Sequence, residues 1–436
     1  MPRGRVTLAG VLLGAVAAAG PLPGPPPSAE EASAVFPAQA ALYLDLHRHP
    51  ELSFHERETA AKLASQAAAL GYEVTSGVGG TGVVAVLRNG PGRTVMLRTD
   101  MDALPVREET GLPYASTVTV KGDAGESIPV MHACGHDIHM ASWIGTAALM
   151  SRDRDRWHGT LVLIGQPAEE AGAGAAAMLK DGLFTRFPKP DFALAIHDEA
   201  EMPAGEVGFH PGYFRAGADS VTITVFGRGG HGAFPHLAID PIVIAARIVL
   251  ALQTIVAREN NPLDPAVVTV GTIHGGTRNN VIPEEVRMQL TVRAFKPEVM
   301  RRLIVAIGRI AKGEAAAAGA PREPTVTVDD SLQPEFNDPE LADRVVGAVR
   351  TALGAGRVVE MPPQMGAEDF ALYGLAGVPS VLLHVGAVDP ARFAEAQRSG
   401  TPLPSIHSPQ FAPAYEPTIK TATLAETAAL LDLLSR

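Results

Sequence analysis

The chain changes its order of secondary structure part-way and then changes back, and this limits the available folds more than any other feature. Up to about residue 212, short apolar runs of strand character alternate with stretches of helical spacing. VVAVL (83–87), TVMLR (94–98), LVLIG (161–165) and DFALAI (191–196) read as strands, with helices at about 136–150 and 171–181. PAQAALYLDLHRHP reads as a helix that ends before Pro50. Such alternation predicts an α/β fold, its sheet covered by helices on both faces. Residues 219–329 follow another order: strand (DSVTITVFG), helix (239–257), strand (AVVTVGTIH), strand (EVRMQLTVRAF), helix (297–316), strand (PTVTVD). That βαββαβ order is ferredoxin-like. At 436 residues the chain exceeds one ordinary core. The expected layout is an outer domain made of 36–212 and 330–436, with an inserted domain at 213–329.

A composition of 46% hydrophobic and 19% charged residues is that of a soluble globular protein. The formal net charge of −11 argues against nucleic acid and against an anionic membrane surface as partners. The first 30 residues stand apart. Arg3 and Arg5 precede VTLAGVLLGAVAAAG, which runs into PLPGPPPSAEE. A short basic region, an apolar stretch of secretory length and small residues read as a signal peptide followed by a proline-rich spacer. The apolar run is shorter than the roughly 20 residues of a spanning helix. The expectation is an exported protein with no stable membrane insertion once the leader is cleaved.

Cys134 is the only cysteine, so no disulfide framework forms within the chain. It lies in MHACGHDIHM, two positions from His136, and a thiolate and an imidazole at that spacing suit a zinc-like or manganese-like ion. A lone cysteine is also commonly a small buried apolar residue. Other polar residues cluster after strands: Asp100 and Asp102 after TVMLR, Glu169 and Glu170 in GQPAEE, His197 after DFALAI. Sites in α/β sheets form at the carboxyl ends of strands, so these groups can converge in one crevice. His407 lies in the loop IHSPQF. Adjacent glutamates point in different directions, so one can bind metal while its neighbour acts as a general base. His139, one helical turn beyond His136, reads as a supporting or packing residue, and His132, ranked below Cys134 and His136, as one that can hold the ligand loop in place. His47, His49 and His55 read as loop or helix-end residues, and His158, His210, His274 and His384 as structural.

MLRTDMDALPV, MHACGHDIHM, GQPAEE, GRGGHGAFPH, NNVIPEEVRMQLTVRAF, MGAEDF and IHSPQF occur in that order. Together they resemble the dinuclear-metal amidohydrolase family of hippurate hydrolase, N-acyl-amino-acid aminoacylases and plant auxin-conjugate hydrolases. The resemblance covers residues from about 36 to the end. It implies two divalent metal ions (manganese, zinc, cobalt or nickel) held by Cys134, His136, Glu170, His197 and His407, with Glu169 as general base. It implies that the inserted domain is a lid and dimerisation domain of a homodimer. His231 would polarise the scissile carbonyl from the partner subunit, and Asn280 and Arg293 would face the substrate. Asp100 and Asp102 would support the ligands.

The activity so implied is hydrolysis of the amide bond of a small N-acyl amino acid by metal-activated water. A metallo-carboxypeptidase or dipeptidase acting on short peptides is the alternative. Two other classes compete: a thiol hydrolase using Cys134 as nucleophile, and a binding protein with a vestigial site. Two stretches depart from the family pattern. His197 is followed by Asp-Glu where relatives tend to be apolar, and TVTVKGDAGESIP before the cysteine motif looks longer or different.

Overall fold

The computed structural model describes residues 26–122 and 125–435, so most of the leader lies outside the described residues. The first helix, Ala29–Arg48, starts seven residues before the expected boundary at 36. The cause is local: Ser28 caps the backbone N–H of Glu31, and Glu31 bonds back to Ser28, satisfying two helix-end donors at once.

The larger unit is built on an eight-stranded sheet. Its strand order is Glu73–Val78, Gly82–Asn89, Gly159–Gln166, Thr94–Asp100, Phe192–Pro203, Ser380–Val388, Val207–Phe209, Val358–Glu360. The four central strands, from Gly159–Gln166 to Ser380–Val388, run parallel. Alternate side chains enter two cores, which is why these strands read as continuous apolar runs. Val83, Ala85, Leu87, Val95 and Leu97 meet a layer that includes helices His136–Arg152 and Tyr415–Leu434. Val84, Val86 and Met96 meet the layer of Gly174–Lys180 and Ala371–Leu375.

The inserted unit has the expected order. Strands Gly217–Phe226, Ala266–His274, Glu285–Ala294 and Thr325–Leu332 form one antiparallel sheet, backed by helices Pro241–Thr254 and Pro297–Ala317. Two strands carry the chain between the units, Gly212–Arg215 outward and Glu335–Asn337 back, and they pair with each other. The apolar stretch Pro241–Glu259 is long enough to cross a membrane by length and composition. Here Ile244, Ala245, Ile248 and Leu252 bury into the lid core, while Ile242, Val243 and Leu250 face outward.

One strand differs from expectation. DFALAI does not end before His197; the strand continues to Pro203, so His197 lies within it.

Candidate metal centre

Gly135 brings the cysteine motif into the site. Its φ of +74° suits glycine, and a Cβ there would lie 2.4 Å from the Asp198 carboxylate. It caps the helix that begins at His136, setting Cys134 and His136 on either side of a sharp turn. Two other loops of the site contain non-glycine residues at positive φ, Ala168 (+50°) before Glu169 and His407 (+66°). Conformations of this kind persist where the surroundings enforce them.

The five expected ligands meet. Cys134 Sγ is 3.5 Å from His197 Nε2 and 3.2 Å from His407 Nε2. Glu170 Oε1 is 3.4 Å from His407 Nε2 and 3.8 Å from His136 Nε2. Two groups with metal-ligand spacing result, Cys134–His136–His197 and Cys134–Glu170–His407, which share the sulfur.

The chemistry of these atoms fits cations. His136 Nδ1 donates to the Asp102 carbonyl at 2.8 Å and His197 Nδ1 to the Asp198 carbonyl at 2.7 Å, so both Nε2 atoms present lone pairs inward. Buried His136 Nε2 and Glu170 Oε1 have no hydrogen-bond partner. Converging lone pairs repel unless positive charge lies between them. Electrostatics agree. Burial, and then the Glu170 charge, push the Cys134 thiol well above its usual range, so a thiolate needs a cation beside it. Burial opposes charge on His136, yet neighbouring Asp100 lifts its ring well above the ordinary value, so this position favours positive charge, a proton on Nε2 or a cation in the proton's place. Burial, helped by His139, holds His197 well below 6.5, the neutral form that binds metal.

Asp100 and Asp102 support this set. The Asp102 carboxylate accepts the backbone N–H groups of Glu169 and Glu170 and the Ser53 hydroxyl. Asp100 accepts from His139 Nδ1 at 2.7 Å and from Arg98 Nη1 at 2.6 Å. The Glu169 carboxylate completes a third group with His136 and Glu170. Burial beside Glu368 and Glu170 raises its proton affinity well above that of an ordinary carboxylate.

The lid residues are distributed otherwise. His231 and Asn280 are exposed on the short ribbon that pairs Gly230–His231 with Val281–Ile282. Among the described residues, the contacts of His231 stay within the lid: its Nδ1 accepts from Ala233 and its ring packs on Phe234. Arg293 reaches the larger unit, where Nη1 donates to the Met365 carbonyl at 2.6 Å.

Sequence reading names Asp100, Asp102 and His139 as supporting residues, but it misses Arg98 and reads His384 only as structural. Arg98, almost fully buried, binds Asp100, Gln166, Glu368 and Asp369 at once. Its signal was present in MLRTD, where a cation on an apolar central strand requires buried acids. His139 bridges Asp100 and Asp198, and His384 bonds Glu199. The unusual Asp-Glu after His197 is therefore buried and partnered.

A family model described as Peptidase family M20/M25/M40 matches residues 96–402. The chain belongs to this family. Among its relatives, a thermostable carboxypeptidase of Saccharolobus solfataricus is 38% identical over 345 residues, 78% of this chain and 84% of that protein. An N-acetyl-L-cysteine deacetylase of Bacillus subtilis is 38% identical over 331 residues, 75% of each chain. A solved B. subtilis structure, described as a dinuclear metal-binding peptidase of the M20 family, matches with a TM-score of 0.74 at 30% identity. That match covers 92% of this chain and 99% of the other. This M20 chain is a metal-dependent hydrolase of amide bonds.

Proposed function

We propose that the enzyme releases amino acids from small N-acyl amino acids, hippurate-like or related conjugates. The observation that carries the hydrolytic reading is the shared sulfur: two ligand groups meet at Cys134, with the Glu169 carboxylate beside them. Manganese, zinc, cobalt or nickel would suit the mixed sulfur, nitrogen and oxygen donors. Cys134, His136 and His197 would hold one ion, and Cys134, Glu170 and His407 the other. When bound, the ions would acidify a water molecule and polarise the amide carbonyl. Glu169 would accept a proton from the attacking water and deliver it to the leaving nitrogen, which is otherwise a poor leaving group.

His231 is proposed to donate to the developing oxyanion of a partner subunit's site. Its exposure within this chain and the outward apolar residues Ile242, Val243 and Leu250 of the lid support a homodimer. Asn280 beside His231, and Arg293 at the lid border, are proposed to bind the substrate carboxylate. The basic-apolar leader supports export, and the capped start of the first helix at Ser28 leaves room for cleavage upstream of the fold.

The acylase reading draws on the N-acetyl-L-cysteine deacetylase. The carboxypeptidase relative favours the second reading, short peptides. A panel of N-acyl amino acids and dipeptides, scored by kcat/KM from amine release, separates them. Higher values for the dipeptides would overturn the acylase reading.

A further inference from the structure

Arg215 ends the outgoing hinge strand and is 5% exposed. Across the hinge its register partner is Glu335, a buried acid. The expected ion pair does not form: both Glu335 oxygens and Arg215 Nε lack hydrogen-bond partners. Instead Arg215 Nη2 meets His384 Nε2 at 3.2 Å. A guanidinium only donates, so His384 Nε2 must accept and Nδ1 must carry the proton. Nδ1 accordingly donates to Glu199 Oε2 at 3.0 Å, an oxygen that also receives Gln364 Nε2 at 2.7 Å. His384 is the register partner of His197 on the neighbouring parallel strand, and their rings lie 5.8 Å apart. Phe214, next to Arg215, packs on His384 with its ring 4.6 Å away. The other arm of Arg215 lies over Gly366, where a Cβ would come within 2.7 Å of Nη1. Gly366 follows Met365, whose carbonyl receives the lid residue Arg293.

We propose that Arg215 is a positioning residue that ties the lid hinge to the metal ligand His197, with His384 as the intermediate. The inference rests on His197 being a ligand. Arg215 fixes both the tautomer and the ring orientation of His384, and that ring backs His197. A lid movement that shifts the hinge strand moves Arg215, and the effect reaches the ligand set through one packed ring. The carboxylate in register is passed over in favour of a neutral imidazole, so the placement of Arg215 follows from this hydrogen bond and not from ion pairing across the hinge.

Cobalt(II) loading tests it, because the visible bands of the ion report ligand geometry and a near-ultraviolet thiolate band reports Cys134. R215M and H384F, shown folded by circular dichroism, should retain two cobalt ions and the thiolate band while the visible bands shift. Their kcat should fall about tenfold with KM nearly unchanged, as expected for misplacement of a group at the reacting centre. H384Q can present a carbonyl to Arg215 and an N–H to Glu199, and should restore both readouts. Unchanged visible bands and kcat in folded R215M and H384F would overturn the proposal alone, as would H384Q behaving like H384F. If H384F does not fold, R215M against H384Q decides by the same criteria. A wild type without the thiolate band would overturn the ligand reading, and this proposal with it.

Discussion

The two carboxylate oxygens of Asp102 each accept one backbone N–H, Oδ1 from Glu169 and Oδ2 from Glu170, both at 3.0 Å. The Asp102 carbonyl also takes His136 Nδ1. One residue thereby orients the proposed base and two proposed ligands, Glu170 and His136. Asp102→Asn would place an amide N–H where one of those backbone donors needs an acceptor. Metal affinity or turnover should fall by about 10–100-fold, the usual effect of losing a residue that supports ligands. A metal titration with unchanged affinity, together with wild-type turnover, would refute the clamp.

Cys134→Ala and Glu169→Gln should fail differently. The first removes the sulfur common to both ligand groups, so metal content and activity should drop together. The second should keep its metal while turnover falls by about 10² or more, because the proton acceptor is lost. Elemental analysis of both variants checks this. Metal lost from Glu169→Gln but retained in Glu170→Gln would show that the two roles are exchanged.

If His231 serves a partner's site, His231→Ala should keep its fold and metal and lose most turnover, since only a contact to the developing oxyanion is removed. Mixing it with inactive Glu169→Gln under subunit exchange should restore some activity, because one of the two sites then carries neither defect. Proven exchange with no recovered activity would place the action of His231 within its own subunit or nowhere.

A pH effect on stability should arise at a pair outside the proposed ligand set. His47 is buried, with Nδ1 2.6 Å from Asp137 and Nε2 3.2 Å from Glu108. Burial opposes its charge, but the bond to Asp137 prevails and lifts it to about 9. A raised value stabilises the fold fully below about 6.5. The contribution, on the order of 3 kcal/mol, is lost as pH rises towards 9. Urea unfolding of wild type and His47→Gln should therefore converge between pH 6.5 and 9. A constant difference across that range would contradict the charged pair.

The legible parts of this protein were those written in short-range patterns. Residue spacing marks the strands, the βαββαβ insertion and the pairing of Cys134 with His136 as candidate ligands. What sequence reading lost depends on partners distant along the chain. Arg98 acquires its meaning from Glu368 and Asp369, about 270 residues away. His384 looked unpatterned because its partners, Glu199 and Arg215, come from two other strands. Asp198 and Glu199 look like a polar strand end in the sequence, whereas His139 and His384 bond them inside the fold, where the strand through His197 continues. The proline-rich approach to the first helix masks the capping pair Ser28 and Glu31, so the true helix start is not evident from the sequence.

Metal-dependent amide hydrolysis is tested most directly by stripping and restoring the ions while amine release from an N-acyl amino acid is followed. Exhaustive chelation should abolish turnover, and activity should return as divalent metal is added back, reaching its plateau at two equivalents per chain. Full turnover after verified metal removal would contradict the account and favour Cys134 as a nucleophile.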